Sequence, residues 1–199
     1  MKPFSVTWDY RCPFARNAHE HLALALASGA DWDVTFVPFS LGQAHVPEGG
    51  RPVWDDPDKA GDLLALAAGV VVRDQYPARF LDAHVALFSA RHDEGLDLRL
   101  PEVVASVLDR VDVPGDKVLA EIESGAPVQE IRRAHEFAAR ELDVFGVPTF
   151  IVGDRAVFVR LMSRPAGDAA LALRTMEGVL DLFDTMPDLN EFKYTKLSI

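Results

Sequence analysis

The chain has 199 residues, 49% of them apolar, with three Trp and twelve Phe, enough to bury a full core. A formal net charge of −11 repels phosphate backbones and argues against nucleic-acid binding. No apolar run is long enough to span a bilayer, and a single cysteine, Cys12, excludes an internal disulfide framework.

Phe4 to Trp8 alternates apolar and polar residues, which predicts a strand. Pro13 suits a first helical turn, where its missing N–H is not needed, and the Ala- and Leu-rich stretch from Ala15 to Ser28 predicts a helix stopped by Gly29. Asp33 to Phe39 is β-branched and aromatic and predicts a second strand. A strand–helix–strand unit of this length implies neighbouring parallel strands. Ser40 to Arg51 has no period and is expected to be a loop. From Pro57 to Leu142 the spacing is helical, with prolines where helices begin: Pro57, Pro77, Pro101, and Pro127 before a long helix over Val128 to Leu142. A shorter helix is expected from Asp116 to Ser124.

The strand pattern returns in Thr149 to Val152 and Arg155 to Val159, which form a hairpin about Gly153-Asp154. Asp168 can cap a last helix through Phe183, and the tail from Pro187 to Ile199 has no strong period. The order β-α-β, helical block, β-β-α is that of an α/β chain with a thioredoxin fold and a helical insertion. The expected division is a thioredoxin-like domain from residues 1–56 and 146–199 and an inserted helical subdomain over 57–145. The start, Met1-Lys2-Pro3-Phe4-Ser5, lacks the apolar core of a signal peptide, so a soluble cytoplasmic protein is expected.

Cys12 falls where the first strand meets the first helix. Unpaired N–H groups and a partial positive charge at a helix N-terminus stabilise a thiolate, and such cysteines have pKa values of roughly 3.5–7.5 instead of about 8.5. Arg11 and Arg16 are expected to add positive potential, Arg16 lying one turn along on the same face. The competing reading is a buried small hydrophobe, the commoner fate of a free cysteine. Trp8, Tyr10 and Phe14 either line an aromatic wall beside the thiol or belong to the core, with Phe14 the one expected to be exposed.

His19 and His21 face different ways on their helix and make a poor metal pair. His19 also lies about 10 Å along the helix from Cys12, too far for a thiol base. His45 sits in a loop that can fold back over the site. Asp55, Asp56, Asp58 and Asp62 lack EF-hand spacing and read as solvated helix-start charges. Glu130 with Arg132 or Arg133 reads as a helix-surface pair, and Gly42, Gly49 and Gly50 make no phosphate loop.

Asp9-Tyr10-Arg11-Cys12-Pro13-Phe14 resembles the Asp-Phe/Tyr-x-Cys-Pro-aromatic signature of DsbA-like thioredoxin-fold proteins. Gly146-Val147-Pro148-Thr149-Phe150 resembles their cis-proline loop, and the helical insertion matches in size and place. These relatives include disulfide oxidoreductases, kappa-class glutathione transferases and hydroxychromene-carboxylate isomerases. The resemblance implies that Cys12 is the nucleophile and that Pro148 faces it as a cis-proline. It also implies that the backbone of Val147 pairs with a bound peptide or thiol cofactor; Arg11, Pro13, Phe14, Arg16 and Pro148 are expected to line the same binding site. Ala15 stands where dithiol members carry a second cysteine, and the transferase and isomerase branches commonly have serine at the Cys12 position. Arg160-Leu161-Met162-Ser163-Arg164-Pro165 replaces the Gly-Ala-Gln ending of some relatives.

The expected function is therefore a monothiol oxidoreductase. Its resolving partner would be a low-molecular-weight thiol such as glutathione, mycothiol or bacillithiol, a co-substrate and not a tightly bound cofactor. The alternatives are a thiol-dependent isomerase or transferase, and a redox-silent module gripping an extended peptide. No metal, nucleic acid or membrane is expected at the site, and a homodimer is left open.

Overall fold

The computed structural model describes residues 2–196. Strand β1 (Lys2–Trp8) sends Phe4, Val6 and Trp8 inward and enters α1 (Pro13–Ala27), with Cys12 as N-cap and Pro13 as first helical residue. The helix ends at Ser28, and Gly29 follows at φ +94°, the left-handed conformation that releases the chain toward β2. β2 (Trp32–Pro38) pairs parallel to β1, with Val6 opposite Phe36.

The segment expected as a plain loop holds a one-turn helix, α2 (Leu41–Ala44), in which the Ser40 hydroxyl accepts from the Gln43 N–H. Pro57 and Pro77 each open a single 3₁₀ turn, and the α-helices α3 (Ala60–Gln75) and α4 (Phe80–His92) begin three residues later. α5 (Pro101–Asp109), α6 (Gly115–Glu123) and α7 (Ala126–Glu141) complete the helical block. The chain then returns to the sheet in β3 (Thr149–Val152) and β4 (Arg155–Phe158) and closes with α8 (Ala169–Thr185), capped by the Asp168 carboxylate.

The sheet order is β2-β1-β3-β4, with β3 antiparallel to both β1 and β4. The strands from the two ends of the chain thus share one sheet, and Val6 lies opposite Phe150 at its centre. α1 is covered by α8 and by α4, while α7 packs on α3 and reaches β2. Glycine is required where α5 and α6 meet: a Cβ at Gly115 would lie 2.5 Å from the Ala105 Cα. Of the tail that lacks a sequence period, residues 197–199 lie outside the described residues. No helix among the described residues is long and apolar enough to cross a membrane.

Candidate active site at the amino end of helix α1

The turn after β1 is held by one buried carboxylate. Asp9 accepts from the Arg11 backbone N–H at 2.9 Å, from the Arg11 guanidinium at 3.1 and 3.3 Å, and from the Leu41 N–H at 2.8 Å. It therefore ties the segment before Cys12 to the segment after β2. Arg11 is committed to this carboxylate, and its charge is largely neutralised there.

Cys12 lies at the end of this turn, 8% exposed. Its Sγ accepts from the Ala15 N–H at 3.4 Å, and its S–H donates to the Val147 carbonyl at 3.2 Å. Positions 135 residues apart thus meet, and the Val147–Pro148 peptide bond beside the sulfur is cis. The Thr7 hydroxyl holds that segment in place, accepting from the Thr149 N–H at 2.8 Å, and the Thr149 hydroxyl donates to the Gly146 carbonyl at 2.8 Å. Ala15, where a second thiol would stand, is fully buried. Pro13 is exposed and Phe14 half-buried, whereas Trp8 and Tyr10 belong to the core.

The expectation of a lowered thiol pKa is overturned. Burial pushes the Cys12 thiol above its ordinary value; the N–H groups of Ala15 and Phe14 oppose the rise, and the Asp9 carboxylate adds to it. Arg16 does not act on the sulfur as an open charge, because it is paired with Asp93 at 2.6 Å. Asp93 also receives Arg164 at 3.2 Å, and Arg164 pairs with Glu20 at 2.6 Å. Removal from water, a tertiary effect, outweighs the helix terminus. The alkylation rate of Cys12 should therefore still climb steeply with pH through pH 8, in step with the thiolate fraction. A plateau below pH 8 in an iodoacetamide rate profile would show the opposite shift.

The histidines weighed from the sequence make their hydrogen bonds away from the Cys12 sulfur. His45 is exposed, with Nδ1 2.7 Å from the Leu41 carbonyl of its own turn. His21 Nδ1 lies 2.9 Å from the Asn17 carbonyl. His19 enters a contact the sequence did not reveal, with Nε2 3.1 Å from the Thr7 carbonyl and Nδ1 2.9 Å from His84 Nε2. His84 Nδ1 in turn lies 2.8 Å from the Tyr10 hydroxyl. Gly69 leaves the room this tyrosine needs, since a Cβ there would sit 2.5 Å from its hydroxyl. The chain braces the strand leading to Cys12 from within the core. The one available signal was His19 on the inward face of α1. Among the described residues no group of three or more His, Cys, Asp or Glu is placed to hold a metal.

The fold has known counterparts. Residues 5–163 match the family model of the DSBA-like thioredoxin domain. The structure of 2-hydroxychromene-2-carboxylate isomerase (HCCA isomerase) superposes with a TM-score of 0.61 at 17% identity, over 94% of this chain and 100% of that one. The oxidoreductase DsbA from Xylella fastidiosa gives 0.58 at 18% identity, over 92% and 86%. The cytosolic disulfide reductase DsbM from Pseudomonas aeruginosa with GSH gives 0.57 at 17% identity, over 90% and 100%. No curated protein matches the chain in sequence. At these identities the structures speak to the fold alone, whereas the family model spans most of the chain. The chain belongs to the DSBA-like thioredoxin domain family.

Proposed function

We propose that the chain is a cytoplasmic monothiol oxidoreductase that reduces disulfides through Cys12, with a low-molecular-weight thiol as co-substrate. The observation that carries this reading is a lone sulfur at the N-cap of α1 against Val147, with alanine one helical turn away. The Cys12 thiolate attacks one sulfur of a substrate disulfide; a new S–S bond forms, and the other substrate sulfur leaves as thiolate and takes up a proton. A small thiolate then attacks the mixed disulfide, releases Cys12 and departs as its own mixed disulfide. A second small thiol reduces that product.

The raised pKa supports the reductive direction. A strongly oxidising thioredoxin-fold site has a stabilised reduced thiolate. Here burial destabilises the thiolate, so the reduced form gains no such advantage. The higher basicity also makes the thiolate that does form a better nucleophile. A neighbour described as a cytosolic disulfide reductase with GSH agrees with this direction and location.

The same observation favours a second reading, a thiol-dependent isomerase or transferase. A cysteine that keeps its proton can donate S–H to the sulfur of a bound small thiolate, as a serine hydroxyl would, and form no covalent bond. Intact mass after exposure to oxidised glutathione separates the two. The oxidoreductase reading expects a stable mixed disulfide on Cys12, absent in Cys12→Ser and removed by added reduced glutathione. A protein that forms no adduct with oxidised glutathione, mycothione or bacillithiol disulfide, yet needs a small thiol for activity, follows the second reading.

A further inference from the structure

Arg160 stands two residues beyond the end of β4, and its neighbours fix it at the rim of the site. The Val159 N–H donates to the Pro148 carbonyl at 3.2 Å, and Asn17 of α1 donates its side-chain N–H to the Leu161 carbonyl at 2.8 Å. The backbone at 160 is thus held between the Val147–Pro148 segment and the first turns of α1. From there the guanidinium lies over the Phe14 ring, 5.4 Å from its centroid. Phe14 is two residues from Cys12.

The charges around this rim are unevenly committed. Arg11 has Asp9, Arg16 has Asp93, and Arg164 has Glu20 and Asp93. Arg160 is exposed and, among the described residues, makes no ion pair and no hydrogen bond, in a chain with 31 acidic residues against 20 basic ones. A guanidinium stacked on an aromatic face keeps its N–H edge free, and that planar fork matches a carboxylate.

We infer that Arg160 is a specificity-determining residue that selects reaction partners carrying an anionic group, of the carboxylate class, for Cys12. The inference rests on the reading of Cys12 as the reacting centre and deepens it by naming the charge of the co-substrate or substrate. Phe14 holds the guanidinium in place, and the surrounding ion pairs leave it as the cation free to meet an incoming anion. The protein's net negative charge disfavours anions elsewhere, so the preference is local to this rim.

The test compares two alkylating reagents that differ in charge. Iodoacetate carries the carboxylate and iodoacetamide does not, and a change in thiol pKa affects both alike, so the ratio of their rates at Cys12 isolates the charge effect. At low ionic strength, Arg160→Gln should lower the iodoacetate-to-iodoacetamide ratio about fivefold, the effect of one unit charge at contact in water. Arg160→Glu should lower it further, and Arg160→Lys should keep most of it. An equal ratio in all four proteins overturns the inference, and so does a Cys12 that reacts with neither reagent in the folded wild type. Oxidised glutathione is run in parallel on the wild type. If neither it nor mycothione nor bacillithiol disulfide forms an adduct while the alkylation ratio still follows the charge at position 160, the redox reading fails and the anion selectivity stands.

Discussion

On the proposed mechanism, Ala15→Cys should turn a thiol that stalls after one attack into one that resolves itself. Position 15 lies one helical turn from Cys12, and its backbone N–H already points at the Cys12 sulfur from 3.4 Å. In the parent protein a mixed disulfide formed with oxidised glutathione would meet no second thiol within the chain to displace it. In the variant the introduced thiol attacks Cys12 Sγ, an intramolecular S–S bond forms, and glutathione leaves as the free thiol. Intramolecular attack by a well-placed group corresponds to effective concentrations far above any free thiol in solution. The adduct should therefore disappear at least ~100-fold faster than millimolar external thiol removes it from the parent. The decay is read by intact mass after quenching with acid. An adduct as long-lived in the variant as in the parent would show that the sulfur at position 12 does not face position 15.

Acid should destabilise the fold well before the carboxylates titrate. Burial holds His19 and His135 down to about 4 and His84 well below its ordinary value, where the neighbouring His19 also disfavours a second positive charge. Above pH 6.5 these rings are neutral in the folded and unfolded chains alike, and their contribution to stability is fully present. Below 6.5 the unfolded chain takes up protons that the folded one refuses, so stability is lost as the pH falls toward 4. Each such histidine removes up to about 1.4 kcal/mol per pH unit, or about 2 kcal/mol by pH 5. Against a typical total of about 5–15 kcal/mol, three of them are a large fraction.

Urea unfolding at pH 7 and pH 5 measures this directly. His135→Phe gives the control, because His135 packs on Phe39 at 4.1 Å and its Nδ1 has no partner to lose. That variant should show a slope smaller by about one proton. A urea midpoint unchanged between the two pH values would remove the buried histidines from the account.

Much of the fold could be read locally. The alternation of Phe4 to Trp8, the Pro13 start and Gly29 stop of α1, and the Gly153-Asp154 turn each declare themselves within a few residues. The four-residue helix α2 did not, since one turn leaves no period and only Ser40 marks it. Pro57 and Pro77 marked the right places but opened 3₁₀ turns, whose start signal is the same as that of an α-helix.

For the site, the motif around Cys12 and the Gly146 to Phe150 segment were both legible, and the structure brings the two together. Their electrostatics stayed hidden. The shift at Cys12 depends on what buries it, and the partners of Arg16 and His19 lie 77 and 65 residues away at Asp93 and, for His19, at His84. Arg160 was visible only as part of a departure from the family's usual ending. Its meaning came from the ring beneath it.

The buried chain from Tyr10 to Thr7 also carries a direction. A carbonyl can only accept, so His19 must hold its proton on Nε2, which leaves Nδ1 to accept from His84 Nε2–H and His84 Nδ1 to accept from the Tyr10 hydroxyl. One backbone oxygen therefore dictates two tautomers and one hydroxyl orientation across three side chains. With every member shielded from water, those three hydrogens have no partner with which to exchange except through opening of the core. They form a set of internal clocks whose exchange with solvent deuterium would time the breathing of the scaffold behind the strand that leads to Cys12.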